Sequence, residues 1–192
     1  MKAKSIKGNS PEEIKAALDR SMADGFKPEL AIIFISVKQD RSSICKIFDD
    51  KGIEIYGATS NGEFTEEGIS EGAIVVLLLE INKDYFKIMF SSFPEKNYRE
   101  TTQLIAKNAL EKFSHPAFLI AGSHLETDAE ELLHGFEDII GKQVNVFGGM
   151  AGDDKQFTEQ FVFTNKKESN RGIVALVLDE DKLIIKGKST CG

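Results

Sequence analysis

Apolar residues follow two periods along this chain, one helical and one suited to short strands. Ser10-Pro11-Glu12-Glu13 offers a hydroxyl N-cap, a proline at the first helical position and a carboxylate able to reach back to the cap. Ile14, Ala17, Leu18 and Met22 then recur on one face until Gly25, which predicts a helix over 10–24. Thr127 with Glu130 repeats the box, Leu132, Leu133, Phe136, Ile139 and Ile140 supply the apolar face, and Gly141 ends it, so a second helix is expected over 128–140. Asn97 with Glu100 opens another over 98–113, and a short helix is expected over 41–50. Between them lie β-branched and aromatic runs too brief for helices. These predict strands over 31–35, 53–56, 74–79, 86–90, 117–120, 144–147, 160–164, 173–178 and 183–186.

The order of these elements repeats. A helix, a strand, a second helix, a strand, a glycine-rich segment and a hairpin succeed one another over 10–91 and again over 97–188, with 160–164 as an extra strand in the second passage. The expected hairpins are 74–79 with 86–90 and 173–178 with 183–186, each joined by a short polar link. The expected fold class is therefore α/β, a mixed sheet with packed helices made of two pseudo-duplicated αβαββ(β) halves. Two copies are too few for a solenoid, so both halves are expected to share one core in a single domain over 1–192.

Composition narrows the picture. A chain of 192 residues, 41% of them hydrophobic, has enough material for one well-packed domain, and no linker divides it. Residues 1–5 begin with positive charge but lack the apolar run of a signal peptide, and no stretch reaches the length of a membrane span, so a cytoplasmic protein is expected. A net charge of −7 argues against a duplex nucleic-acid partner. Lys166, Lys167 and Arg171 read as a solvated loop. The two cysteines, Cys45 and Cys191, fit a reducing compartment, with Cys45 a small buried hydrophobe on its helix.

Candidate chemistry concentrates in the two glycine-rich segments, expected to be turns: Gly57-Ala58-Thr59-Ser60-Asn61-Gly62-Glu63 and Gly148-Gly149-Met150-Ala151-Gly152-Asp153-Asp154. Glycine lets backbone N–H groups approach a ligand, while the polar neighbours supply directional donors and acceptors. If both segments meet in one cleft, Gly57, Thr59, Ser60, Asn61, Gly62, Glu63, Gly148, Gly149, Gly152, Asp153 and Asp154 form its ligand-binding set. Glu63, Asp153 and Asp154 would hold an amine, and Thr59, Ser60 and the glycine N–H groups a carboxylate, which matches an amino acid. Asp153-Asp154 reads as a cap or an amine acceptor ahead of a divalent-cation site, so no metal is expected. No phosphate-binding loop, nucleophile elbow or zinc spacing is present. A hydrolase using Thr59 or Ser60 is the enzymatic alternative, but no histidine or lysine neighbours either in sequence, so a non-enzymatic role is expected.

The same segments carry a family resemblance. The stretch from Ile55 to Glu63 resembles the Gly-Cys-Ser-Thr-x-Gly-Glu motif of the FIST N-terminal domain, with Ala58 where the family usually has cysteine. The stretch from Val146 to Asp154 resembles its Gly-Gly-x-Ala-Gly-Asp motif, and 172–178 is similar to its closing strand. The resemblance implies a bacterial cytoplasmic sensory domain that binds small ligands such as amino acids and works with a histidine kinase, chemoreceptor or cyclic-dinucleotide output protein. It also implies a FIST C-terminal domain beyond Gly192. Some relatives bind haem and sense nitric oxide, a second sensor reading. His115, His124 and His134, however, lie in polar or boundary stretches, so neither haem nor any other cofactor is expected.

Overall fold

The computed structural model describes residues 1–66, 68–93 and 96–187. Its first passage runs β1 (Lys2–Gly8), α1 (Pro11–Met22), β2 (Leu30–Ser36), α2 (Arg41–Asp49), β3 (Glu54–Ser60), β4 (Glu63–Thr65), β5 (Gly68–Ser70) and β6 (Ile74–Glu80). Its second runs β7 (Phe86–Ser92), α3 (Tyr98–Leu110), β8 (Pro116–Gly122), α4 (Ala129–Ile140), β9 (Val146–Met150), β10 (Val162–Phe163), β11 (Glu168–Ser169) and β12 (Gly172–Asp179). One sheet has the order β1-β6-β2-β3-β10-β11, the other β7-β12-β8-β9, and β4 pairs with β5 alone. The pairs β2/β3 and β8/β9 are parallel, each joined by a helical crossover, and all other pairs are antiparallel.

Alternation along the strands sorts the apolar side chains into three layers. Ile33, Ile35 and Ile55 meet Ile14, Leu18 and Phe48 of α1 and α2 on the outer face of the six-stranded sheet. Phe118, Ile173, Ala175 and Val177 meet Ile105, Leu132 and Phe136 of α3 and α4. The opposite faces bring Leu30, Tyr56, Ala58 and Val162 against Ala121, Val174 and Leu176. The chain is thus a helix–sheet–sheet–helix sandwich, and the inter-sheet layer is what the two passages share.

The helices begin where local chemistry directs. Ser10 accepts the Glu13 amide at 3.3 Å, and Glu13 reaches back to the Asn9 amide at 2.8 Å. For α4 the cap is Asp128, one residue past the expected threonine, because its carboxylate accepts the amides of both Glu130 and Glu131.

Neither expected hairpin forms. Strand β6 enters the six-stranded sheet between β1 and β2, whereas β7 pairs with β12 in the other sheet. Asn82 caps a 3₁₀ turn over Lys83–Tyr85, and burial of Ile81 and Phe86 between the sheets draws the chain across. After β12 the residues 183–187 form no strand: Asp179 turns the chain by accepting the Leu183 amide, and Ile184 is 92% exposed. The αβαββ(β) unit read from the sequence is therefore not what the chain builds. What the two sheets share is a strand order, with β1, β6, β2 and β3 standing where β7, β12, β8 and β9 stand. The extra strand, β10, leaves its own passage and pairs with β3 of the other sheet. The expected end at 188 and Cys191 lie outside the described residues.

Candidate functional site

Both glycine-rich segments begin as strand and turn only toward their ends. Gly57 to Ser60 continue β3, and Gly148 and Gly149 lie within β9. Tertiary packing overrides the usual strand aversion of glycine here. The Phe163 ring lies on Gly57, in the space a Cβ would need. Gly148 has φ 144, and a side chain there would collide with the carbonyl of Ile120 on the neighbouring strand.

The ends of β3 and β9 meet. Thr59 Oγ1 donates to the Gly152 carbonyl at 2.5 Å and accepts the Phe161 amide at 2.9 Å. The Gly152 amide donates to the Thr59 carbonyl at 2.8 Å, and that of Asp154 to the Ser60 carbonyl at 3.2 Å. Asn61 Oδ1 accepts the amides of Asp153 at 2.9 Å and Lys155 at 3.1 Å. Beyond this junction the chain takes positive φ at Asp154, Lys155 and Phe157, and Asp153 closes the loop by accepting the Thr158 amide at 2.6 Å.

The three candidate amine-holding acids have different surroundings. Asp153 is buried and spent on its own loop. Asp154 accepts the Ser36 hydroxyl at 2.7 Å and has Lys38 at 3.6 Å. Glu63 is 1% exposed and accepts the Ser60 hydroxyl at 2.7 Å and the Ala73 amide at 3.0 Å. Among the described residues no cation pairs with Glu63. A buried carboxylate with two neutral donors and no counter-charge is costly unless something cationic reaches it.

Two cavities adjoin this junction and share Phe34 and Ser60 in their walls. One, about 320 Å³, opens between the sheets and is lined by Tyr56, Thr59, Ser60 and Asn61 on one side and by Gly148, Gly149 and Gly152 on the other. The other, about 640 Å³, lies under β4, beside Glu63 and Gly62. Thus the structure brings both candidate segments to one place; Gly57 sits back beneath Phe163, and Asp153 and Asp154 line neither cavity.

Tyr56 is the lining residue that the sequence reading did not single out. It is buried, its hydroxyl has no hydrogen-bond partner among the described residues, and burial pushes its ionisation well above the ordinary phenol range. It therefore stays a neutral donor. It stands within β3 among apolar neighbours of the inter-sheet layer, and only the inter-sheet opening distinguishes it from them.

Edge strand β9 adds backbone donors at Gly148 and Met150, which alternate away from β8 toward a side with no neighbouring strand among the described residues. The Asn61 side-chain amide has no acceptor among the described residues. The histidines lie elsewhere: His115 beside Asp181 at 2.8 Å, His124 beside Arg171 at 2.9 Å, and His134 beside Glu131 at 3.3 Å. Among the described residues no group of three or more metal-ligating side chains gathers, and no helix is long and apolar enough to cross a membrane.

The family model of the FIST N domain matches residues 29–192, which includes both cavities' glycine segments and all of the four-stranded sheet. No curated protein matches the chain.

Proposed function

The chain belongs to the FIST N domain family, a family of sensory domains, and from that premise we propose that it senses a free amino acid held between its two sheets. The observation that carries the proposal is Glu63, a buried carboxylate without a cationic partner among the described residues, next to an inter-sheet cavity whose polar side chains, Tyr56, Thr59, Ser60 and Asn61, all carry hydrogen-bond donors. An α-ammonium at Glu63 supplies the missing charge through charge-assisted hydrogen bonds. The α-carboxylate faces Tyr56, the Asn61 side-chain amide and the Gly148 amide at the edge of β9.

Such a ligand touches both sheets at once. Occupancy then favours the arrangement in which β3 and β9 are correctly spaced, and a signalling partner reads that population shift. A histidine kinase, chemoreceptor or cyclic-dinucleotide output protein is the class of partner proposed, in a bacterial cytoplasm.

A thermal-shift screen of amino acids and simple amines tests the reading. At least one amino acid should raise the Tm, with a gain that grows with ligand concentration over Kd. Glu63→Gln should weaken that ligand about tenfold or more, as expected for loss of a charged hydrogen-bond partner. Absence of any response at millimolar concentration contradicts the proposal.

A further inference from the structure

The larger cavity contributes Glu63 to the proposed head-group site, and the rest of its wall has no part in holding that group. Strand β4 contacts β1, β6 and β2, and the cavity beside it lies on the same face of the six-stranded sheet as the inter-sheet layer, where Phe34 and Leu77 remain partly exposed. Under it, Ile32, Phe34, Val75 and Leu77 project from the sheet, and Phe64 closes the space from above. Phe34 and Leu77 remain 40% and 37% exposed although they stand in inner strands of the sheet. Its polar lining is Ser60, shared with the inter-sheet cavity, together with Glu63, Ser5, Thr65 and the exposed Glu66.

We infer that this cavity is the side-chain pocket of the proposed amino-acid site and selects a large apolar side chain, of the leucine or phenylalanine kind. The inference rests on the head-group reading above and extends it. Glu63 and Ser60 fix the ammonium at the rim, so the Cβ substituent has two directions. Toward β9 it meets the donors that the carboxylate needs; toward β4 it meets an apolar enclosure of about 640 Å³, ample for an aromatic or branched side chain. An acidic side chain there would lose its water among Ile32, Val75 and Leu77 and face the carboxylates of Glu63 and Glu66 in the same wall. A methyl group would leave most of the apolar wall in contact with water.

Isothermal titration of the intact chain with L-leucine, L-phenylalanine, L-alanine, L-aspartate and L-lysine tests this. Leucine and phenylalanine should bind about tenfold or more tightly than alanine, since each buried methylene contributes appreciably to discrimination. Aspartate should be weaker still, and lysine should bind less tightly than leucine, since a pair with the exposed Glu66 contributes little. Leu77→Asp should reduce the leucine-to-alanine preference about tenfold, and Phe64→Ser should do so in part; Phe64 is 74% exposed, so its replacement tests the pocket independently of folding. Equal binding of all five amino acids, or an unchanged preference in both variants, overturns the inference while leaving the head-group site standing. Binding of none overturns both.

Discussion

Asn61 accepts the backbone amide of Asp153 at 2.9 Å, fastening the end of β3 to the segment that leaves β9. With the Thr59–Gly152 pair it makes the junction a hydrogen-bonded seam between the two sheets. Several residues that the sequence suggests as ligand-binding groups are thereby occupied with each other. The donors and the acid left over, at Tyr56, the Asn61 amide, the β9 edge and Glu63, define what a ligand would meet.

Thr59→Val keeps the shape of a buried side chain and removes its hydroxyl. The Phe161 amide then loses its acceptor and the Gly152 carbonyl one donor. Stability should fall by about 1–3 kcal/mol in urea unfolding, as for buried groups left unpaired. An unchanged midpoint would show that the seam contributes little.

Two glycines in one segment should respond oppositely. At Gly152 a Cβ would stand 2.6 Å from the Asn61 amide nitrogen, so Gly152→Ala should cost about 1–3 kcal/mol by forcing the seam apart. At Gly149 a Cβ meets nothing, and pairing with Ala121 turns it toward the inter-sheet layer. Gly149→Leu should therefore preserve the unfolding midpoint and abolish the amino-acid-dependent rise in Tm. Calorimetric scans with and without ligand separate the two effects.

Burial pushes the Cys45 thiol up to about 11 from 9.0, and its Sγ lies 3.3 Å from the Thr164 carbonyl. The raised value favours the protonated thiol in the folded state. Below pH 9 the thiol is protonated in both states and its contribution is complete. Between pH 9 and about 11 the unfolded chain loses the proton first, so stability falls across that window. Urea midpoints of the wild type and Cys45→Ala should converge there as pH rises; a pH-independent difference would contradict the assignment. At neutral pH the native thiol should react slowly with disulfide reagents.

Helix positions are legible from their apolar faces more than from their caps: Ser10 caps as expected, Asp128 replaces Thr127, Asp40 is an unexpected cap, and Asn97 makes no side-chain cap bond. Strand partners are not, since pairing depends on distant segments. β1 escaped notice because only Ile6 and Gly8 of its residues are buried, too weak an alternation to read. Glycine at 57, 148 and 149 suggested turns, and only the approach of Phe163 and of the Ile120 carbonyl explains glycine within a strand at 57 and 148. Within the candidate site, the polar segments are visible in the sequence, while their meeting stays an open condition there and comes from the Thr59–Gly152 and Asn61–Asp153 bonds. Which acid remains without a counter-charge is not visible there, because Asp153, Asp154 and Glu63 differ only in their tertiary neighbours.

The most direct test of the account is a two-dimensional amide NMR titration of the intact chain with L-leucine. The account predicts concentration-dependent shifts clustered at Ser60, the Asn61 side-chain amide, Gly148 and Gly149, with the Asn61, Gly148 and Gly149 perturbations greatly reduced in Glu63→Gln at the same leucine concentration. Shifts confined to other surfaces, or a spectrum unchanged at millimolar leucine and by the other amino acids, would contradict a ligand site between the two sheets.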